Sequence, residues 1–186
     1  MTVPADLDRR FRHAAVRAEL LDAAYDVIDS ELGPLLAAVT ERGLARITYD
    51  PDPERELERL AGFAGPRVLR APRALDRARQ ELDDYFAGRR KAFDLELDLR
   101  GQAPFAVTVL EELARVPYGH TETYGELARR AGSPRAARAV GMVMNRNPIP
   151  IVLPCHRIVG ASGSLVGYGG GLERKEKLLR LEGAML

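Results

Sequence analysis

The sequence predicts an α+β protein of two domains, a mixed N-terminal domain of strands and helices followed by a mostly helical C-terminal domain with a helix-turn-helix. Three observations lead there. Short β-prone runs separated by Gly33 and Gly43 occupy the first part of the chain. From Pro104 onward the texture changes to short helices with tight turns. Two of those helices flank Gly132-Ser133-Pro134, a stop, a cap and a first-turn proline in succession.

The elements follow in chain order. Leu7, Phe11, Ala14, Ala18, Leu21, Tyr25 and Ile28 recur at alternating spacings of four and three, an amphipathic helical stripe that is expected to end near Ala24. Residues 25–29, 35–40 and 44–49 read as strands of a hairpin or meander, and 53–60 as a helix. Residues 68–70 fit a short strand. Residues 72–86 fit a helix with Leu75, Ala78, Leu82 and Phe86 on one face. Phe93, Leu95, Leu97 and Leu99 then alternate with Asp94, Glu96, Asp98 and Arg100, which fits a linker or an edge strand with one wet face. These readings divide the chain into an N-terminal helical extension (1–24), a mixed domain (25–100) and a helix-turn-helix domain (101–186), with the boundary near Gly101.

Composition narrows the function classes. The chain has 186 residues, 46% of them hydrophobic and 30% charged, as in a globular protein. No apolar run approaches the roughly 20 residues of a membrane helix, and no apolar signal segment opens the chain. One cysteine forms no internal disulfide and builds no cysteine zinc site, which suits a cytoplasmic protein. The net charge of +1 conceals an asymmetry. Up to Ala114 there are 17 Lys/Arg against 22 Asp/Glu, and from Arg115 onward 11 against 5. A basic C-terminal half is what a polyanion would meet, although scattered solvated charge gives the same count.

Residues 123–131 read as a helix with Tyr124, Leu127, Ala128 and Ala131 on one side. Ser133 is the expected cap, and Pro134 the first position, of a second helix over 134–146. At 100° per residue, Ala136, Ala137, Ala139, Val140, Gly141, Val143 and Met144 share a broad face. Arg135, Arg138, Met142, Asn145 and Arg146 form the other, as suits approach to DNA phosphates or an ordinary solvated αα-corner.

The segment from Asn147 to Arg157 carries the chemistry. Pro148 and Pro150 impose extended backbone, 151–153 is apolar, and Pro154 stiffens the approach to Cys155-His156-Arg157. A lone cysteine is often a small buried hydrophobe. Here its basic neighbours are expected to favour the nucleophilic thiolate. Cys155 and His156 share a site only if the chain turns there or a water bridges them. In the last helix Lys175, Leu178, Leu179 and Glu182 fall on one stripe. Glu182 is then either inward, orienting His156 as base for Cys155, or exposed at a frayed end. Gly160, Gly163, Gly167 and Gly169–Gly171 around Tyr168 form a glycine-rich stretch without the phosphate-loop pattern, suited to close approach of a ligand or to plain flexibility.

These residues closely resemble the O6-alkylguanine-DNA alkyltransferases. The resemblance runs through Pro117-Tyr118-Gly119, Tyr124-Gly125, Ala137-Arg138-Ala139-Val140-Gly141, Asn147-Pro148, Pro154-Cys155-His156-Arg157, Gly167-Tyr168, Gly170-Gly171-Leu172, Lys175 and Glu182-Gly183. A weaker likeness upstream, at Leu32-Gly33-Pro34-Leu35, Gly43-Leu44 and Tyr85-Phe86-Ala87-Gly88, implies a ribonuclease-H-like N-terminal domain. The resemblance implies a single-turnover transfer of an alkyl group from O6-alkylguanine in double-stranded DNA to Cys155, without a cofactor and by a monomer. It implies that His156 deprotonates Cys155 through a water, that Glu182 orients His156, that Tyr124 donates toward the guanine, and that Asn147 braces the turn. Arg138 would fill the gap left by the flipped nucleotide, with Arg135, Ala137, Tyr124, Gly141 and Arg146 also against DNA in the minor groove. Met144, Ile158, Tyr168 and Gly169 would line the pocket, with backbone groups of Cys155 and Ile158 reading the guanine amine. Flipping is a physical requirement, since the target atom is unreachable within a duplex.

The chain departs from the family pattern at Gly169, often serine or arginine, and at Leu110, often tryptophan. Two other readings stay open. A lesion sensor would keep the arginine helix without needing Cys155, and a cysteine hydrolase would turn over repeatedly without needing the basic helix.

Overall fold

The computed structural model describes residues 4, 6–7, 10, 12, 14–15 and 20–184. Of the N-terminal stripe, Phe11 and Ala18 lie outside the described residues. Its last two members, Tyr25 and Ile28, belong to a strand that begins at Ala23, two residues earlier than the sequence reading placed it. The described chain forms two compact units. One takes the residues up to Asp83 together with Asp94–Arg100, and the other takes Asp84–Phe93 and the residues from Gly101 onward. Among the described residues no helix is long and apolar enough to cross a membrane.

In the first unit, β1 (Ala23–Ile28), β2 (Leu35–Thr40) and β3 (Gly43–Tyr49) form an antiparallel meander. A fourth strand, β4 (Val68–Arg70), pairs in parallel with β1, giving the order β3-β2-β1-β4. Leu35, Leu36, Ala37 and Ala38 of the inner strand β2 are all fully buried, so both faces of the sheet are covered there. Between β3 and β4 lies α1 (Pro53–Ala64), which starts where Asp52 accepts from the Arg55 N–H and Pro53 supplies a preset φ. Its Leu60 packs on Leu36 and Ala38. Two buried acids of this unit are each held by two arginines, Asp26 by Arg70 and Arg79, and Glu56 by Arg46 and Arg59.

The helix expected over 72–86 divides. Pro72–Leu75 is a 3-10 turn, tightened by the Asp76 N–H bond to the Arg73 carbonyl, and α2 (Asp76–Phe86) follows. The alternating segment 93–99 is extended but makes only one isolated bridge, Leu97 beside Leu44. The alternation also breaks at Asp98, which is buried, accepts from Thr40 Oγ1 at 2.7 Å and is gripped by Arg100. Its pairing reads as a wet position in the sequence because a charged residue satisfied by a distant threonine is indistinguishable from a solvated one.

In the second unit, α3 (Pro104–Ala114) buries Val109, Leu110 and Leu113. The two-residue strands β5 (Glu122–Thr123) and β6 (Ile158–Val159) pair in parallel, Glu122 opposite Ile158 and Thr123 opposite Val159. Thr123 then caps α4 (Tyr124–Arg130) in a reciprocal capping box with Glu126. Gly132, at φ +70°, ends the turn after α4. The second helix of the pair, α5 (Ala137–Asn145), starts three residues later than expected. Ser133 does not cap it. Its carbonyl instead accepts from the Ala136 N–H, closing a turn with Pro134 at the second position, where a fixed φ also fits. Arg135, Arg138, Met142, Asn145 and Arg146 are exposed, while the residues on the opposite face are buried or half-buried. The chain closes with α6 (Leu172–Leu181), which buries Lys175, Leu178 and Leu179 and is capped by Glu182.

Gly43 is the tightest backbone approach in the first unit. It sits at φ +127°, and a Cβ there would lie 2.2 Å from the Glu96 carbonyl oxygen, a backbone atom fixed by its bond to the Leu44 N–H. Gly43→Ala is expected to destabilise this unit by at least about 2 kcal/mol. Urea denaturation checks it, and an unchanged midpoint would contradict the geometry.

Candidate active site

The approach to Cys155 is a sequence of tight turns. Asn147 donates its side-chain N–H to the Leu153 carbonyl at 2.8 Å and accepts from the Ile149 N–H at 3.0 Å, closing the loop on itself. Within that loop Ile151 is at φ +77°, a left-handed conformation that a β-branched residue adopts only when its surroundings compel it. Its side chain is fully buried. Pro154, at φ −81° and ψ 61°, then centres an inverse γ-turn closed by the Cys155 N–H bond to the Leu153 carbonyl at 2.8 Å. Cys155–Arg157 form a single 3-10 turn, so the chain does turn at the cysteine, and all three side chains are buried.

Glu182 is inward and nearly inaccessible. Its Oε1 accepts from Tyr85 Oη at 2.6 Å, from His156 Nε2 at 2.8 Å and from Arg157 Nη2 at 2.8 Å. Its Oε2 accepts from Arg157 Nε at 2.8 Å and from the Gly119 N–H at 3.4 Å. Burial pushes the carboxyl up, but the His156 and Arg157 bonds outweigh it and hold the group down at about 2. An ionised carboxylate only accepts, so the proton of a neutral His156 ring must sit on Nε2. Nδ1 is then a buried acceptor, and among the described residues it has no hydrogen-bond partner. Burial holds the imidazole below its ordinary value despite Glu182, so the ring is neutral and can receive a proton at Nδ1.

Cys155 differs from the sequence expectation. Arg157 does not serve the thiol: its guanidinium is spent on Glu182 and on the Val116 carbonyl. Asn147 and Lys175 pull the thiol down, but burial dominates and pushes it up to about 11. The resting group is therefore a protonated thiol that needs a base. Lys175 is fully buried, donates to the Ile158 and Val166 carbonyls, and is itself pushed down by burial to about 8.

A cavity of about 130 Å³ opens at Cys155, lined by Tyr124, Gly141, Met144, Asn145, Cys155, Gly167 and Tyr168. The β5–β6 pairing explains the convergence, because it sets Tyr124, just past Thr123, beside the turn that precedes Ile158. The Tyr124 hydroxyl donates to the Val166 carbonyl at 3.2 Å, and burial with the adjacent Cys155 raises its pKa. Gly141 leaves room at the tyrosine, since a Cβ there would lie 3.8 Å from the ring. Of the expected pocket residues, Met144 and Tyr168 line the cavity while Ile158 and Gly169 do not. Ile158 is fully buried and Gly169 is exposed. Ala137 is half-buried on α5. Sequence reasoning gave no site role to Tyr85, Lys175, Asn145 or Gly167, and it set Arg157 beside the thiol instead of Glu182. Tyr85 was legible only as a family-like residue, because its contact with Glu182 is made across 97 residues.

Comparisons with known proteins agree over most of the chain. Residues 23–99 match the family model described as 6-O-methylguanine DNA methyltransferase, ribonuclease-like domain, and residues 104–184 match the one described as 6-O-methylguanine DNA methyltransferase, DNA binding domain. A methylated-DNA–protein-cysteine methyltransferase of Mycolicibacterium paratuberculosis is 45% identical over 163 residues, covering 85% of this chain and 91% of the relative. One of Methanosarcina acetivorans is 40% identical, covering 86% and 98%. Among solved structures, a Mycobacterium tuberculosis OGT in complex with DNA superposes with a TM-score of 0.76 at 43% identity, covering 87% of this chain and 93% of that one.

The buried carboxylate generates a stability prediction. Because the folded pKa of Glu182, about 2, lies below its ordinary 4.5, its contribution is complete above pH 4.5 and lost as pH falls toward 2. The difference corresponds to about 3 kcal/mol. Glu182→Gln removes this charge and leaves Arg157 buried without it, at an expected cost of about 3–5 kcal/mol at neutral pH. Chemical denaturation from pH 7 down to 2.5 should show the gap between the two proteins narrowing with acid. A constant gap would mean that the carboxylate is not ionised in the fold.

Proposed function

This chain belongs to the 6-O-methylguanine DNA methyltransferase family, and from that premise we propose that it repairs DNA by moving an alkyl group from the O6 of guanine to Cys155, once per molecule. The observation that carries the proposal is the arrangement at the cavity floor. A single buried thiol lies next in sequence to an imidazole whose outer nitrogen is held by a carboxylate and whose inner nitrogen is an unpartnered acceptor.

The reaction follows from those groups. His156 Nδ1, through a bridging water, takes the thiol proton as Cys155 Sγ attacks the alkyl carbon. The S–C bond forms, the C–O6 bond breaks, and the electron pair passes into the guanine ring, toward which the Tyr124 hydroxyl donates. In net terms the thiol proton replaces the alkyl group on guanine. A thioether is not cleaved by any group in the site, so the protein does not turn over. The burial that raises Cys155 to about 11 protects the resting thiol, and the base releases it only when an alkyl carbon is in place. Asn147 braces the turn, and Met144 and Tyr168 enclose the flipped base.

The exposed face of α5 is the DNA side of this reading. Arg135, Arg138 and Arg146 supply phosphate contacts, and Arg138 fills the stack once the nucleotide has left it. The half-buried Ala137 and Gly141 let the helix approach closely in the minor groove. In this reading the chain divides into an N-terminal helical extension (1–24), a ribonuclease-like domain (25–100) and a helix-turn-helix alkyltransferase domain (101–186), a division that the spans of the two family matches support. The protein acts as a monomer, and its one cysteine fits a reducing cytoplasm.

Two experiments test this. Intact mass after mixing with O6-methylguanine duplex should show a gain of one methyl group in the wild type and none in Cys155→Ser, which should still bind the duplex. Binding without any gain would favour a lesion sensor, and repeated release of product a hydrolase. Arg138→Ala should slow repair of duplex at least about tenfold while sparing transfer from free O6-benzylguanine, because only the duplex requires a flipped state worth a few kcal/mol. Equal losses on both substrates would remove the finger role.

A further inference from the structure

Tyr85 is fully buried and lies outside the residues matched by the DNA-binding model, in the short Asp84–Phe93 segment that belongs to the second compact unit. Its hydroxyl reaches Glu182 Oε1 at 2.6 Å, the same oxygen that accepts from His156 Nε2. That distance lies in the charge-assisted range for O–H···O⁻. Its ring is set by edge contacts with Phe86 and Tyr118, at 5.5 and 6.2 Å between centroids, and by Phe93 at 5.2 Å. A tyrosine packed this completely could simply fill space, but then its hydroxyl would not need to meet the one atom that tunes the base.

We infer that Tyr85 is a positioning residue of the transfer reaction, whose hydroxyl draws charge from Glu182 and so limits how strongly that carboxylate holds a proton on His156. The inference rests on the Cys155–His156–Glu182 reading above. An ionised carboxylate only accepts, so Tyr85 must donate. Burial and the adjacent charge raise the phenol far above its ordinary value, so it donates at every pH at which the protein works. Its pull on Oε1 is therefore constant, whereas the His156 proton comes and goes. Without that pull, more negative charge would face Nε2, and the imidazolium would persist to higher pH. An imidazolium cannot accept the thiol proton, so the brake keeps the base available near neutrality.

The charged and titratable groups around this pair are accounted for. Glu182 and Lys175 come from α6 and its cap, and Cys155 and Arg157 from the 3-10 turn. Tyr118 comes from the loop before β5, with its ring under Arg157 and Lys91. Arg157 is committed to both Glu182 oxygens, Lys175 to two carbonyls, and Tyr118 donates its hydroxyl to the Leu181 carbonyl. Tyr85 is thus the neutral donor on the shared oxygen.

The test uses the full chain and Tyr85→Phe, which keeps the ring and removes the hydroxyl. Two quantities are read: the titration of the His156 ring by heteronuclear NMR, and the single-turnover transfer rate against pH. Both the ring titration and the acid limb of the rate should move up together by about half a pH unit or more. A ring titration that stays in place overturns the inference, whatever happens to the rate. If Tyr85→Phe melts, 3,5-difluorotyrosine at this position, a more acidic phenol of nearly the same shape, should move both quantities the opposite way, and no movement again overturns it. The ring titration does not depend on alkyl transfer. A wild type that gains no methyl group would overturn the transfer reading while the NMR result still decides the role of Tyr85.

Discussion

The buried carboxylate of Glu182 is the point on which the second unit depends. It gathers Tyr85, Gly119, His156 and Arg157 from three separate stretches of chain. A charge so far from water is tolerable only when its lone pairs are all used, and here both oxygens are. The same bonds perform two tasks. They anchor the cap of α6, and they determine which nitrogen of His156 carries its proton. Arg157 also reaches back to the Val116 carbonyl, so the 3-10 turn bearing Cys155 is tied to the end of the chain and to the loop after α3.

That anchoring also sets the surroundings in which Cys155 rests. Arg157, two residues on, points to Glu182 instead of the sulfur, and burial keeps the thiol protonated. The turn that presents it is strained at Ile151 and closed by Asn147, so the sulfur is delivered by backbone geometry and not by a mobile loop.

The two faces of α5 meet different surroundings. Gly141 and Met144 face the cavity, whereas Arg135, Arg138 and Arg146 are solvent-exposed. One helix of nine residues, with the arginines that flank it, therefore joins an exposed basic face to the lining of the cavity at Cys155. The turn at Ser133–Ala136 replaces a capped first helical turn and leaves the N–H groups at the start of α5 without a side-chain cap.

Much of this was legible in the sequence. Short β-prone runs with Gly33 and Gly43 between them located the meander, and Gly132 located the break between α4 and α5. The 100° periodicity sorted every residue of α5 to its observed face, because a helix's geometry is local. Element starts were less accessible: Ala23 and Ala137 begin their elements because of pairing with β4 and a proline turn, respectively. The adjacency of cysteine, histidine and arginine marked the chemistry but assigned Arg157 the wrong partner. By itself, then, the sequence determined the two-domain α+β architecture, the adjacency of Cys155, His156 and Arg157, and the exposed basic face of α5, since each is written in neighbouring residues or a short period. Only the tertiary structure decided that Cys155 rests as a thiol and that Tyr85 joins Glu182 across 97 residues. Burial and long-range hydrogen bonds set those properties, and neither exists until the chain has folded.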